Sequence, residues 1–512
     1  MAGRPLERSV FPGRTRVRRS PVGEAAPSFA WPGLPGATRT PGLLAERTRR
    51  CATVLAVALA LVAMPAGSRA EASGKVPLLS AAQEGEPGEG EAPPVEGKAE
   101  AAPPWAEIHF HLTTATQAHP SFYAKYSGAN SLSPQAESAT AFVSGLNMEA
   151  RLWRGAELVL DPELSGGYGL SSTLGVAAFP SGIVYRVGNP APAIYLARLL
   201  LRQTLGLGGG RVPFDEGDGS AGLRDRATLT LTVGRLSVTD VFDGNAYAHD
   251  PETQFFNWAL FASGAWDYPA DTRGYTWGVL ADFSMDFWSV KAGIALEPQY
   301  ANLLPLEWDL TKARGLMAEY DVRYRLLGRG GTGRVLLFLN QARMGSYAEV
   351  LANPAAYGNS IAATRADGRE KYGAALSWDQ QVTDSLGVFL RASIDDGATE
   401  SWAFTEIDRS LGFGAVESGS LFGLRDYEAG GALVIDGLSR LHRLYLQGGG
   451  YGFILGDGQL NYAPEIEGDF YLRVHVTPLV DASVLYQPIF DPGYNKDRGP
   501  VQVFSGRVHI AF

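Results

Sequence analysis

The chain has 512 residues, a formal net charge of −10, 62 glycines, 11% aromatic residues and a single cysteine. The acidic balance argues against nucleic acid as a partner, and one cysteine excludes a disulfide framework. Length alone suggests ~3 domains, but no apolar run reaches the ~20 residues of a membrane helix, and abundant Gly and aromatics suit strands that show lipid only alternate residues.

Residues 1–50 are rich in Arg, Pro and Gly and carry no usable period. They read as a disordered basic leader, and a true start nearer Leu44 is the simpler account. Residues 51–72 read as a signal peptide. Arg47-Thr48-Arg49-Arg50 precedes the apolar run Ala52 to Ala66, and small residues follow at Ser68 to Ala72. Basic, apolar and small-residue regions in that order mark export. Arg49-Arg50 is a weak hint of the twin-arginine route. Cys51 precedes the apolar run, so it is no lipoprotein acylation site. Residues 73–104 are an acidic, Pro-rich linker that cannot bury enough apolar surface to fold.

From Trp105 a period of two recurs, the mark of strands with one apolar face. Ile108, Phe110 and Leu112 alternate with Glu107, His109 and His111. Leu146, Met148, Ala150 and Leu152 alternate with Asn147, Glu149 and Arg151, and Arg154-Gly155 turns the chain back. Leu316 to Tyr324 and Ile466 to Val476 repeat the pattern, with turns expected at Gly328 to Gly333 and Thr477-Pro478. Val501 to Phe512 closes on another such strand, with Phe504, Val508, Ile510 and Phe512 on one face. A terminal aromatic on an amphipathic strand looks like the assembly signal of an outer-membrane barrel, which makes Phe512 the residue for the barrel assembly machinery.

Charges on one face and aliphatics on the other, strand after strand, suit a closed barrel. In lipid every backbone group must be paired, and charges then line a wet lumen. The reading is an all-β, transmembrane antiparallel β-barrel over residues 105–512. It has about 16 strands, with 18 possible. Pro120 to Glu137, Gly166 to Pro192, Gly244 to Arg273, Glu297 to Arg314 and Asp491 to Pro500 are its outer loops or constriction elements.

Several blocks between Trp105 and Phe512 carry a family resemblance. They include HPSFYAKYSGANSLSP from His119, RLWRGAELVLDPELSGGYGLSSTLGVAAFPSG from Arg151 and GRLSVTDVFDGNAYAHDPETQFFNW from Gly234. GYTWG, ARMGSY, SWAFTEIDRSL, GLSRLHRLYL, GFILGDGQLNY and YNKDRGPVQVF follow in order. Together they resemble the carbohydrate-selective porins of the OprB type. The resemblance implies a monomer or homotrimer in the bacterial outer membrane, in contact with its lipid, that passes mono- or small oligosaccharides by diffusion.

Sugar passage needs several shallow contacts rather than one tight site. The candidate pore and sugar-contact residues are Glu163, Arg198, Arg202, Asp240, Asp243, Arg391, Glu400, Trp402, Glu406 and Arg440. Arg198 and Arg202 lie four apart in a strand and are assigned to the lumen, with Tyr195, Ala197, Leu199 and Leu201 on the opposite face. A role in pairing strands through Glu157, Asp161 or Glu163 is equally open to them. Asp240 and Asp243 suit a short helical turn at a constriction. Loop-fixing hydrogen bonds are their first reading and a divalent cation the weaker one. No metal ligand and no cofactor is assigned. Asp395, Asp396, Glu400, Glu406 and Asp408 cluster around Trp402 and Phe404, and paired carboxylates beside aromatics also describe a glycosidase. A barrel hydrolase of glycans, and a porin for other small solutes or anions, are therefore the alternatives.

Overall fold

The computed structural model describes residues 105–184, 191–215, 221–419 and 427–512. The leader, signal peptide and acidic linker read at 1–50, 51–72 and 73–104 lie outside them, as do Cys51 and part of the loop read from Gly166 to Pro192.

The barrel begins with β1 (Ala106–His119), β2 (Glu137–Trp153), β3 (Ala156–Gly167) and β4 (Ala193–Gly206). A separate hairpin follows, β5 (Arg211–Asp215) with β6 (Ala221–Asp225). The barrel resumes with β7 (Thr228–Leu236), β8 (Thr276–Ser284), β9 (Trp288–Ala295), β10 (Arg314–Leu326), β11 (Arg329–Ala342) and β12 (Arg369–Gln381). It ends with β13 (Leu386–Asp395), β14 (Arg409–Gly419), β15 (Tyr427–Gly437), β16 (Glu465–Thr477), β17 (Val480–Phe490) and β18 (Val501–Ala511). Among the described residues, sixteen of these eighteen strands close into one barrel in which β18 pairs with β1. The remaining two form the hairpin. Closure leaves no unpaired edge, which is what a bilayer requires of a sheet. Beside that seam the Phe512 N–H donates to the Phe110 carbonyl at 3.1 Å, and the two rings stand 5.1 Å apart.

The period-two pattern sets the faces. Leu158, Val233, Val279, Leu376, Leu411, Leu433, Phe470, Val484 and Phe504 point outward and are exposed. Inward positions of the same strands carry Asp161, Lys371, Asp469 and Arg507, and β13 adds Arg391, all buried. A water-soluble sandwich would reverse this. No described helix is long and apolar enough to cross a membrane.

Connections alternate between two rims. One rim carries tight turns, as at Gly155, whose φ of +73° is left-handed. Leu327 and Gly328, with φ of 51° and 80°, make the turn between β10 and β11. The turn expected to run on to Gly333 is therefore shorter, because a two-residue turn with both φ positive already matches the strand twist. The other rim carries the five expected long connections and three more, at 343–368, 396–408 and 438–464. These hold α1 (Trp258–Phe261, in the β7–β8 connection), α2 (Tyr347–Ala352) and α3 (Arg440–Gln447). They fold inward: Phe255, Phe256, Leu260, Ile454 and Leu455 are fully buried against wall residues such as Phe389, Val434 and Tyr471.

Candidate pore constriction

The β7–β8 connection, residues 237–275, organises the lumen. Wall side chains of one strand after another hold its backbone. Asp469 on β16 accepts from the Phe256 and Asn257 N–H groups at 2.7 and 2.9 Å. Arg507 on β18 donates to the Pro251, Thr253 and Gln254 carbonyls at 2.8, 2.7 and 2.8 Å. Glu319 on β10 accepts from the Asp243 N–H at 2.6 Å, and the Asn245 amide donates to Ser377 on β12 at 3.1 Å. Buried polar groups must be paired. Here the barrel's inward polar residues and the loop's backbone satisfy one another.

On the β3–β4–β7 side the wall keeps partly exposed charges. Arg198 makes a two-pronged pair with Asp240, Nε to Oδ2 at 2.8 Å and Nη2 to Oδ1 at 2.7 Å. Its Nη1 donates to Asp161 Oδ2 at 2.8 Å. Its side chain stays 26% exposed. Desolvation pushes the Asp240 carboxyl up, but the Arg198 guanidinium outweighs it and holds the group below the usual carboxylate range. Tyr195 and Tyr275 donate to the two oxygens of Glu163, each at 2.5 Å. Arg198 lies over the Tyr275 ring at 5.3 Å and Arg273 over the Tyr195 ring at 4.2 Å. Arg235 closes the group, donating to Asp271 at 2.7 Å. Further along the same face Arg202 stands 3.5 Å from Glu157.

The lumen assignment of Arg198 and Arg202 agrees with this geometry, but two of their neighbours do not sit as expected. Asp161 pairs with Arg198 and Pro162 with Leu196, so Ala197 is an extra residue in β4. This bulge shifts the face pattern by one. Leu199 and Leu201 face outward, whereas Tyr195 turns inward to Glu163, Ala197 is fully buried, and Ile194 takes the exposed position.

The other candidates fall in separate networks. Asp240 and Asp243 do not share a ligand set. Asp240 caps the 3-10 turn Val238–Asp240 in a capping box with Ser237. Asp243 pairs with Arg391 at 2.6 Å and accepts from the Ser263 N–H at 2.6 Å, with both charged side chains 1% exposed. Glu400 takes Arg365 on both oxygens at 2.7 and 2.9 Å and the Gly345 N–H at 2.6 Å. Trp402 is fully buried and donates to the Pro298 carbonyl at 2.9 Å. Glu406 accepts from the Ile454 and Leu455 N–H groups at 3.0 and 2.7 Å. Asp408 accepts from the Ser439 N–H at 2.6 Å and pairs with His442 at 3.2 Å. Arg440 opens α3 and is exposed. Glu400, Glu406 and Asp408 thus hold loops together through guanidinium, imidazole and backbone N–H partners.

Sequence reasoning missed Tyr275, Arg235 and Asp271, which the β7–β8 connection and its flanks bring to Arg198. It also missed Lys371, which lies 3.3 Å from both Asp267 and Asp395. Parity marks Lys371, because it stands on the face opposite the exposed Tyr372 in β12. No sequence signal marks Asp267, its partner in a loop.

The family profile described as carbohydrate-selective porin, OprB family, matches residues 130–512. No curated protein matches. Among solved structures, the high-pH structure of Pseudomonas putida OprB shares the fold at a TM-score of 0.61 and 16% identity, over 80% of this chain and 94% of that one. The outer membrane channel DcaP of Acinetobacter baumannii aligns at a TM-score of 0.45 and 10% identity, over 80% and 97%. With a closed barrel, an inward-folded constriction loop and this family match, the chain belongs to the OprB family of carbohydrate-selective porins and is a sugar channel of the bacterial outer membrane.

Proposed function

We propose that neutral mono- and small oligosaccharides pass along the wall formed by Arg198, Asp240, Tyr195 and Tyr275, then by Arg202 and Glu157, by facilitated diffusion. The observation that carries this reading is the state of Arg198. Three of its five N–H donors are engaged, which leaves two for a passing hydroxyl. The acids fix the fork in place, and a fixed fork suits a diol. Positive and negative groups are interleaved along this face, which favours uncharged polar solutes over anions. Contacts of this kind are weak enough to release the sugar.

The carboxylates around Trp402 are engaged by Arg365, His442 and backbone N–H groups, which supports transport without hydrolysis. The outward aliphatics contact outer-membrane lipid, Phe512 serves the barrel assembly machinery, and the protein works as a monomer or homotrimer. Residues 51–72 are removed on export, leaving 73–104 as a periplasmic arm.

Planar-bilayer recording with sugar titration tests the reading. Neutral sugars are expected to reduce the ion current in a saturable way, with little preference between cations and anions. A strong anion preference without sugar block overturns it in favour of an anion porin. Release of shortened glycans from an added oligosaccharide overturns it in favour of a hydrolase.

A further inference from the structure

Behind the wall that carries the proposed sugar contacts, one cluster of residues has the composition and arrangement of a metal site. His111 on β1, Gly145 on β2 and Glu163 on β3 lie in one row across three paired strands. Asp161 stands two residues before Glu163 on the same inward face. One ligand atom each from His111, Asp161 and Glu163 lies within 4.8 Å of the others. Between the outer two members of the row there is only a glycine. A Cβ at Gly145 would stand 2.1 Å from His111 Nε2 and 3.1 Å from Asp161 Oδ1. The missing side chain is what lets these atoms converge.

Two further observations point to a ligand. Asp161 is 2% exposed, and its Oδ1 has no hydrogen-bond partner, whereas Oδ2 holds Arg198. An orphaned buried oxygen costs free energy unless something fills its site. His111 Nδ1 lies 3.0 Å from Glu252 Oε2, on the β7–β8 connection. A ring N–H donated to that carboxylate leaves the Nε2 lone pair free, on the side of the ring that meets Gly145 and the Asp161 carboxylate. Metal-binding histidines are held in this way by a carboxylate behind the ring. Glu252 is fixed in turn by Thr113 and by His509, whose Nδ1 lies 3.5 Å away.

We propose that His111 Nε2, Asp161 Oδ1 and a Glu163 carboxylate oxygen form a binding site for a divalent transition-metal ion in the lumen wall. One imidazole nitrogen and two carboxylate oxygens suit Zn2+ or Cu2+ better than the all-oxygen preference of Ca2+ or Mg2+. Ligand atoms around a tetrahedral zinc stand ~3.4 Å apart, given Zn–N and Zn–O distances of about 2.1 Å. Closing the present spacing, up to 4.8 Å, to that value takes side-chain rotations at the site when the ion enters. Water from the lumen supplies the fourth position. Glu163 keeps its tyrosine hydroxyls, because each carboxylate oxygen has a second lone pair.

The test uses the protein purified from outer membranes in detergent micelles, dialysed against micromolar Zn2+ at neutral pH. One zinc per chain is the expected stoichiometry. H111Q and D161N each lower the affinity by about tenfold or more, and G145A does so without removing a ligand. H475Q, on the tight-turn side of β16, binds zinc as the wild type does. Electron paramagnetic resonance of the Cu2+-loaded wild type reads the ligands without any substitution, and coupling to one imidazole nitrogen is expected. Failure of the wild type to retain zinc, undiminished binding in both H111Q and D161N, or an all-oxygen copper spectrum overturns the proposal. None of these readouts depends on sugar passage.

Discussion

Arg198 and Arg507 are the same residue type on the same inward face of the same barrel, yet their surroundings give them different work. Arg507, on β18, is 1% exposed and spends its donors on three backbone carbonyls of the β7–β8 connection. Arg198, on β4, is held by two carboxylates and keeps a quarter of its side chain open. A charge tied to backbone and fully desolvated fixes a loop. A charge tied to other charges and left wet can meet a solute. The β16–β18 wall with the Asp243–Arg391 pair is thus the clamp, and the β3–β4–β7 wall is the contact surface proposed for the sugar.

Five variants, two of them double, break or sharpen that contrast. Asp243→Ala has the largest expected effect, because it strands Arg391 as a buried unpaired charge. A loss of about 3–5 kcal/mol follows, read as a lower temperature for the gel-mobility change on unfolding. The double variant Asp243→Asn with Arg391→Met recovers most of it, and no recovery means the pair does more than cancel charge. Arg507→Ala comes next. It frees three loop carbonyls, and a loss of about 2–3 kcal/mol is expected, with larger current fluctuations in bilayers as the loop loosens. A quiet channel of normal stability removes Arg507 from the clamp.

Arg198→Ala with Arg202→Ala attacks the contact surface. The barrel still inserts, since Asp240 turns to water, at a cost in stability from the buried Asp161 left without its partner, but sugar block weakens by about tenfold, worth ~1.4 kcal/mol, and cation preference rises. Failure to insert places both arginines in the clamp instead. The smallest effect belongs to Tyr195→Phe, which removes one hydroxyl from Glu163. A change of about 1 kcal/mol in stability is expected, with sugar block altered less than in the arginine variant. A larger loss of block makes the hydroxyl itself a contact.

The barrel was legible because alternation is local. Leu146 to Leu152 and Ile466 to Val476 show their faces within a few residues, and tight turns follow from Arg154-Gly155 and its like. The site was legible only in part. Arg198, Asp240 and Glu163 could be nominated by type, but Tyr275, which meets both Arg198 and Glu163, lies at the far end of the long β7–β8 connection, whose path no period encodes. The same limit led the acids near Trp402 to resemble a glycosidase pair. Their partners Arg365, His442 and the Ile454 and Leu455 N–H groups sit on other connections. One hidden residue, Ala197, was enough to invert the reading of Tyr195.

That single residue has a wider meaning. Strand side chains alternate, so an extra alanine in β4 acts as a phase change in the message: everything before it is read on the other side of the wall. Removing Ala197 would leave both the β3–β4 ladder and its faces in place, because Leu196 already pairs with Pro162 and Tyr195 with Glu163. One codon can therefore be gained or lost at a bulge while the wall stays closed and each flanking side chain keeps its side, although the parity counted along the sequence changes.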